Sequence, residues 1–120
     1  MNYLIIINPN SGTKKSIDVF NSIVIPELKK RNHTFDSHIT EHQHHAEKII
    51  TKAILKDKDA ILILGGDGTM HEVVNGLLKR DEIIDIPIGL LPTGSGNSLL
   101  YDIGKFDVKT TLNKILRSEE

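Results

Sequence analysis

The chain has 120 residues, enough for one domain that buries about two thirds of its unfolded surface. Lys plus Arg is 15 against 16 Asp plus Glu, leaving a net charge of −1 and no clustered basic face, and aromatics are 4% with no Trp, so nucleic acid is not an expected partner. With no cysteine there is no disulfide framework or thiolate centre, and no apolar run approaches the roughly 18 residues of a bilayer span, so a soluble protein is expected.

Tyr3-Leu4-Ile5-Ile6-Ile7 is a continuous apolar run, as in a strand covered on both faces of a parallel sheet. No basic segment precedes it and no small-residue cleavage site follows, so it reads as structure and not as a leader. Asn8-Pro9-Asn10-Ser11-Gly12 is a turn. Ser11, Thr13 and backbone N–H groups there can hold phosphate oxygens, with Lys14 or Lys15 supplying charge; equally, Ser11 or Thr13 can cap the next helix and leave the lysines in water. Ile17, Phe20, Ile23, Val24 and Leu28 predict a helix from Ser16 to about Lys30, which Pro26 must kink or end early.

Phe35, Ser37 and Ile39 alternate with Asp36 and His38, the pattern of a half-exposed outer strand. Thr40-x-x-Gln43 is a candidate capping box for a helix whose apolar stripe is Ala46, Ile49, Ile50, Ala53 and Ile54. The cluster His42-Gln43-His44-His45 invites a metal assignment, but histidines one or two apart on a helix do not share a face and no HExxH spacing accompanies them. Solvated or supporting roles fit better, with His45 able to orient a group near Thr40.

The apolar run Ala60 to Leu64 leads into Gly65-Gly66-Asp67-Gly68-Thr69 and then a stripe of Met70, Val73, Val74, Leu77 and Leu78. A strand, a tight loop and a helix start are predicted. The glycines admit positive φ and close approach of a ligand, and amides at a helix N-terminus attract anions. Asp67 would repel a bare phosphate, so the loop suggests phosphate together with a metal ion or a hydroxyl donor. It is not a Walker loop, since no lysine occurs between Asp59 and Lys79, nor a dinucleotide fingerprint, since His71 stands where the third glycine belongs. The alternative is a turn whose glycines serve geometry alone, with Thr69-x-x-Glu72 as a capping box. Gly76 weakens this helix and implies close contact with a neighbouring backbone. Ile86 to Leu91 is a further strand with Pro87 near its start. The polar loop Pro92-Thr93-Gly94-Ser95-Gly96-Asn97-Ser98 follows it, and Val108, Leu112, Ile115 and Leu116 give a closing helix.

Alternating strands and helices imply a three-layer α/β/α fold with a mostly parallel sheet. The Gly/Ser/Thr loops all follow strands, so they gather at the carboxyl edge of the sheet, where open α/β folds bind ligands. That shared placement favours a nucleotide phosphate site.

Asn8-Pro9-Asn10-Ser11-Gly12, then Gly65-Gly66-Asp67-Gly68-Thr69 continuing to Glu72-Val73-Val74-Asn75-Gly76-Leu77, then Pro92-Thr93-Gly94-Ser95-Gly96-Asn97 resemble the catalytic-domain motifs of the diacylglycerol and sphingosine kinase family. The motifs occur in family order across nearly the whole chain. The resemblance implies the NAD kinase/diacylglycerol kinase-like N-terminal fold and ATP-dependent transfer of a phosphoryl group to a lipid hydroxyl, of diacylglycerol or a sphingoid base. It implies ATP binding by Asn8, Pro9, Asn10, Ser11 and Gly12, by Thr40, by Gly66, Asp67, Gly68, Thr69, Met70, His71 and Glu72, and by Ser95. Asp67 would be the catalytic acid nearest the phosphates and the ligand of Mg²⁺.

The stretch Gly68 to Leu77 and the Gly94-Ser95-Gly96-Asn97 loop are more similar to the sphingosine and ceramide branch. Ser98 stands where bacterial diacylglycerol kinases more often carry an acid, and the acceptor stays open. The resemblance also implies a second, mostly β domain that closes over the lipid and meets the membrane surface, with the protein cytoplasmic or peripheral at the inner membrane face and an oligomer admitted. These 120 residues alone are then expected to bind nucleotide weakly and to phosphorylate no lipid. NAD kinases share the Gly-Gly-Asp-Gly-Thr loop, though their downstream Asn-x-Gly-x-Leu-Gly segment has no match; a non-catalytic nucleotide-binding module would keep the loops without turnover.

Overall fold

The two long apolar runs become the inner strands of a four-stranded, all-parallel sheet in the computed structural model, which describes residues 1–10, 15–82 and 84–92. Strand β1 is Asn2–Ile7, β2 Thr34–Ile39, β3 Ala60–Gly65 and β4 Ile88–Pro92, in the order β2-β1-β3-β4. Ile5 stands between Ser37 and Leu62, and Ile63 lies beside Leu90. A parallel strand inside such a sheet needs apolar cover on both faces. On one face Tyr3, Ile5, Ile7, Leu62 and Leu64 pack with Phe20, Val24 and Leu28; on the other Leu4, Ile6, Ile61 and Ile63 meet Ala46, Ile50 and Val73. The fold is the expected three-layer α/β/α arrangement.

The first face is covered by one continuous helical segment: α1 Ser16–Val19, a π-helical turn Phe20–Val24, and α2 Ile25–Lys30. Of the two outcomes expected at Pro26, a kink or an early end, the helix does not end there and runs to Lys30. In the wider turn the Ile25 N–H bonds to the Phe20 carbonyl, so Pro26 falls in the first turn of a fresh α-helical stretch, where a missing donor costs little.

The second face is covered by α3 (His45–Lys52) and α4 (Asp67–Leu78). Helix α3 does not begin with a Thr40 capping box. It starts after His44, which is left-handed at φ 69°, with no side-chain cap; buried Thr40 instead gives its N–H (2.8 Å) and hydroxyl (3.4 Å) to the Ile7 carbonyl. The helix also stops before the end of its predicted stripe. Arg80 Nη1 donates to the carbonyls of Ile50, Thr51 and Ala53 at 2.8, 3.3 and 2.7 Å, closing the helix at Lys52. Ile54 is therefore turned outward at 69% exposure, and Leu55 takes the inward place. In α4, Val74 and Leu78 likewise face outward and are not core. Gly76 has the close contact its cost implied: a Cβ there would lie 2.8 Å from both the Glu47 carbonyl oxygen and the Ile50 Cβ.

Outer strand β2 is held to the lead-in of β3 by Lys58, whose Nζ lies 2.8 Å from Asp36 and 3.2 Å from Asp57. The Lys58 hydrogen bond holds the Asp36 carboxyl below its usual range. A depressed folded-state value means stability that is fully present above the ordinary value of 3.8 and is lost as pH falls through the folded value. The melting temperature of the wild type is expected to fall more steeply with acidification than that of Lys58→Met, as thermal melts across the carboxylate range would show.

Candidate functional site

The carboxyl ends of β1 and β3 are joined through one side chain. Asn8 follows β1 directly; its backbone N–H donates to the Leu64 carbonyl (2.9 Å) and its Nδ2 donates to Thr69 Oγ1 (3.0 Å) across 61 residues of sequence. Its Oδ1 accepts the Asn10 N–H (3.0 Å), folding the start of the first loop back on itself. Thr40, at the end of β2, is tied to the same edge through the Ile7 carbonyl. The start of the first loop and the central loop thus meet at the carboxyl edge of the sheet.

The glycines act differently from expectation. None of Gly65, Gly66 and Gly68 has a positive φ. Gly65 is needed because Thr69 folds back over it: a Cβ would meet Thr69 Oγ1 at 2.8 Å. At Gly66 and Gly68 a Cβ would meet nothing within 4 Å, so these two leave bare backbone open to a ligand. The first bond within α4 runs from the Met70 N–H to the Gly66 carbonyl (3.2 Å), and the amides of Asp67, Gly68 and Thr69 precede it. Amides at the positive end of a helix can receive an anion.

Thr69 and Glu72 do not form the expected capping box. Helix α4 starts two residues ahead of Thr69, with extended Gly66 as its N-cap and no side-chain cap, which puts Thr69 inside the first turn. Its hydroxyl, buried with the residue at 4% exposure, is the acceptor for Asn8. Asp67 is exposed and has no hydrogen bond or ion pair among the described residues. Glu72 is half-buried, His71 is exposed, and Met70 packs against the core of the second face. Pro9 and Asn10 continue from Asn8 at the rim. Ser11, Gly12, Ser95, the rest of the third loop from Thr93 on, and the closing helix lie outside the described residues. Replacing Thr69 with Val keeps its shape and deletes the acceptor for Asn8; a stability loss of about 1 kcal/mol in denaturant melts is expected, whereas Glu72→Ala should change stability less.

Among the described residues no three His, Cys, Asp or Glu side chains converge on a metal position. Asp67 is the acidic residue in the first turn of α4. That suits Mg²⁺, which commonly takes one or two carboxylates and fills its other positions with water and substrate phosphate. The histidine cluster is used structurally: His42 and His45 stack at 4.7 Å, and His45 Nδ1 accepts the N–H of Glu41, next to Thr40. No signal in the sequence could pair Asn8 with Thr69, because the two meet only through the sheet.

The signature of the diacylglycerol kinase catalytic domain matches residues 2–120. Sphingosine kinase 1 of Caenorhabditis elegans is 39% identical over 96% of this chain, and sphingosine kinase 1 of Mus musculus 38% identical over 86%. The chain spans 26% and 28% of those two proteins. A crystal structure of a diacylglycerol kinase from Bacillus anthracis superposes with a TM-score of 0.70 and 25% identity, over 99% of this chain and 42% of that one. No helix among the described residues is long and apolar enough to cross a membrane. The chain belongs to the diacylglycerol kinase catalytic domain family.

Proposed function

We propose, from that family membership, that residues 1–120 are the ATP-binding part of a lipid kinase, which moves the γ-phosphoryl group of ATP to the hydroxyl of a long-chain lipid. The observation that carries this reading is the Asn8–Thr69 bond, which locks the first loop against the open turn Gly66 to Thr69. Phosphoryl transfer asks a protein mainly for positioning and for donors around the moving charge. In this reading the amides of Asp67, Gly68 and Thr69 take phosphate oxygens, and Asn8 to Gly12 and Ser95 also bind the nucleotide. Asp67 holds Mg²⁺, which when bound neutralises phosphate charge. Thr69 acts as a positioning residue because its hydroxyl already accepts from Asn8, and Met70 supports the turn from below. Thr40 braces the sheet edge beside Asn8.

The acceptor we put first is a sphingoid base, because the relatives at 36–40% identity are sphingosine kinases; diacylglycerol is the second. The lipid and the membrane surface would be met by a further domain, since transfer also needs the acceptor hydroxyl aligned and water excluded. In the described residues the strongly apolar strands are already covered by helices. The test offers sphingosine, diacylglycerol and NAD, with labelled Mg·ATP, to this chain and to a longer natural version that includes it. The longer version is expected to phosphorylate a lipid and not NAD, while the 120 residues bind Mg·ATP weakly and make no lipid phosphate. Phosphorylation of NAD alone by the longer version would overturn the reading; steady lipid phosphate from the short chain would show that the acceptor site lies within it.

A further inference from the structure

Helix α3 begins without the cap such helices commonly carry. No side chain caps it, and His44 ahead of it is left-handed at φ 69°, a conformation that costs a non-glycine residue. Its first side chain reaches backward instead. His45 Nδ1 accepts the N–H of Glu41 at 2.9 Å, outside the helix, so that nitrogen carries no proton and the neutral ring holds its proton on Nε2. The ring of His42 stacks on that of His45 at 4.7 Å and 18°. His42 Nδ1 donates to the Gln43 carbonyl (2.8 Å), and the His45 N–H to the His42 carbonyl (3.2 Å). Two histidines thereby close the turn 41–45 on itself.

We propose that His45 is a positioning residue for the nucleotide, setting the end of β2 through Glu41; the proposal rests on the ATP-binding reading. Stability alone does not account for the bond. Glu41 is exposed, so its N–H would find water if the imidazole were removed, and a bond of that kind contributes little to folding. What it fixes is direction. Thr40, next to Glu41, gives its N–H and hydroxyl to the Ile7 carbonyl at 2.8 and 3.4 Å. The residue after Ile7 is Asn8, whose Nδ2 donates to Thr69 in the first turn of α4. His45, Glu41, Thr40, Ile7, Asn8 and Thr69 thus form one unbroken series of covalent and hydrogen-bonded links along the carboxyl edge of the sheet, from α3 to α4. Without the imidazole, residue 41 is released on the side of Thr40 that faces α3. A nucleotide bound at this edge must then order the turn itself, and the entropy of doing so is subtracted from its affinity.

Calorimetric titration of this chain and two variants with Mg·ATP tests it. His45→Phe keeps a ring to stack on His42 and deletes the acceptor, whereas His45→Asn puts an amide oxygen where Nδ1 stood and deletes the ring. His45→Phe is expected to bind Mg·ATP at least about fivefold more weakly than wild type with little change in melting temperature, and His45→Asn to recover most of that affinity. Because coupling between sites is reciprocal, Mg·ATP should also slow hydrogen exchange at the Glu41 amide of the wild type, a measurement that needs no variant to fold. A wild type that binds no Mg·ATP would overturn the ATP-binding reading and this proposal together. Where the wild type binds, equal affinity in His45→Phe would overturn the proposal alone. So would His45→Asn binding no better than His45→Phe, or a Glu41 amide whose exchange the nucleotide leaves unchanged.

Discussion

Leucine in place of Gly76 is expected to leave the chain largely unfolded at room temperature. The first added carbon would sit 2.8 Å from the Glu47 carbonyl oxygen and 2.8 Å from the Ile50 Cβ, so α4 would have to move away from α3. Neither contact can give easily, since one is backbone and the other is the branch point of a fully buried side chain. Arg80 and the 2.7 Å Lys79–Glu47 ion pair also tie the two helices together beyond Gly76. Separation would uncover Ile50 and Val73, which seal the second face of the sheet. Overpacking a tight core commonly costs about 1–3 kcal/mol, and opening this one adds to that, against a total stability on the order of 5–15 kcal/mol for such a domain. Even Gly76→Ala, which gains about 1 kcal/mol of helix propensity, should be destabilising, because its single methyl group makes the same clash. Urea denaturation followed by circular dichroism is the check. A Gly76→Leu protein with the wild-type midpoint would mean that the helices do not approach this closely.

Asp67→Ala is expected to separate function from stability most sharply. The carboxylate is exposed and has no partner among the described residues, so its removal takes away only a favourable charge at a helix N-terminus, worth about 0.3–1 kcal/mol. Under the proposed function it carries the metal, so the gain in ATP affinity on adding Mg²⁺ should fall at least about tenfold, or about 1.4 kcal/mol. Calorimetric titration with ATP, with and without Mg²⁺, reads this directly. Equal Mg·ATP affinity in the two proteins would remove Asp67 from the site.

The inner strands were legible because Tyr3 to Ile7 and Ala60 to Leu64 are unbroken apolar runs, which only strands covered on both faces tolerate. Helices α3 and α4 were legible from their stripes, though Ile54, Val74 and Leu78 carried those stripes past what is buried. Both capping boxes failed for one physical reason. A threonine hydroxyl near a helix start has rival partners, and here long-range ones won: the Ile7 carbonyl for Thr40 and Asn8 for Thr69. The central loop was legible as a strand-to-helix turn, but the division of labour among its glycines was not, because the seat Gly65 offers Thr69 exists only once α4 has folded back. The π-helical turn ahead of Pro26 had no periodic signature, since one widened turn barely shifts the apolar spacing.

The bond between Asn8 and Thr69 also bears on when the site can exist. Every strand pairing in this sheet is parallel, so each is non-local and must await a crossover of intervening chain. During synthesis the first loop emerges early, but its anchor stays unmade until β3 has docked beside β1 and residue 69 has cleared the ribosome. A half-made chain therefore lacks the joined loops. Any ligand that needs the joined loops binds the native state alone, and so draws late folding forward by mass action without rescuing earlier intermediates.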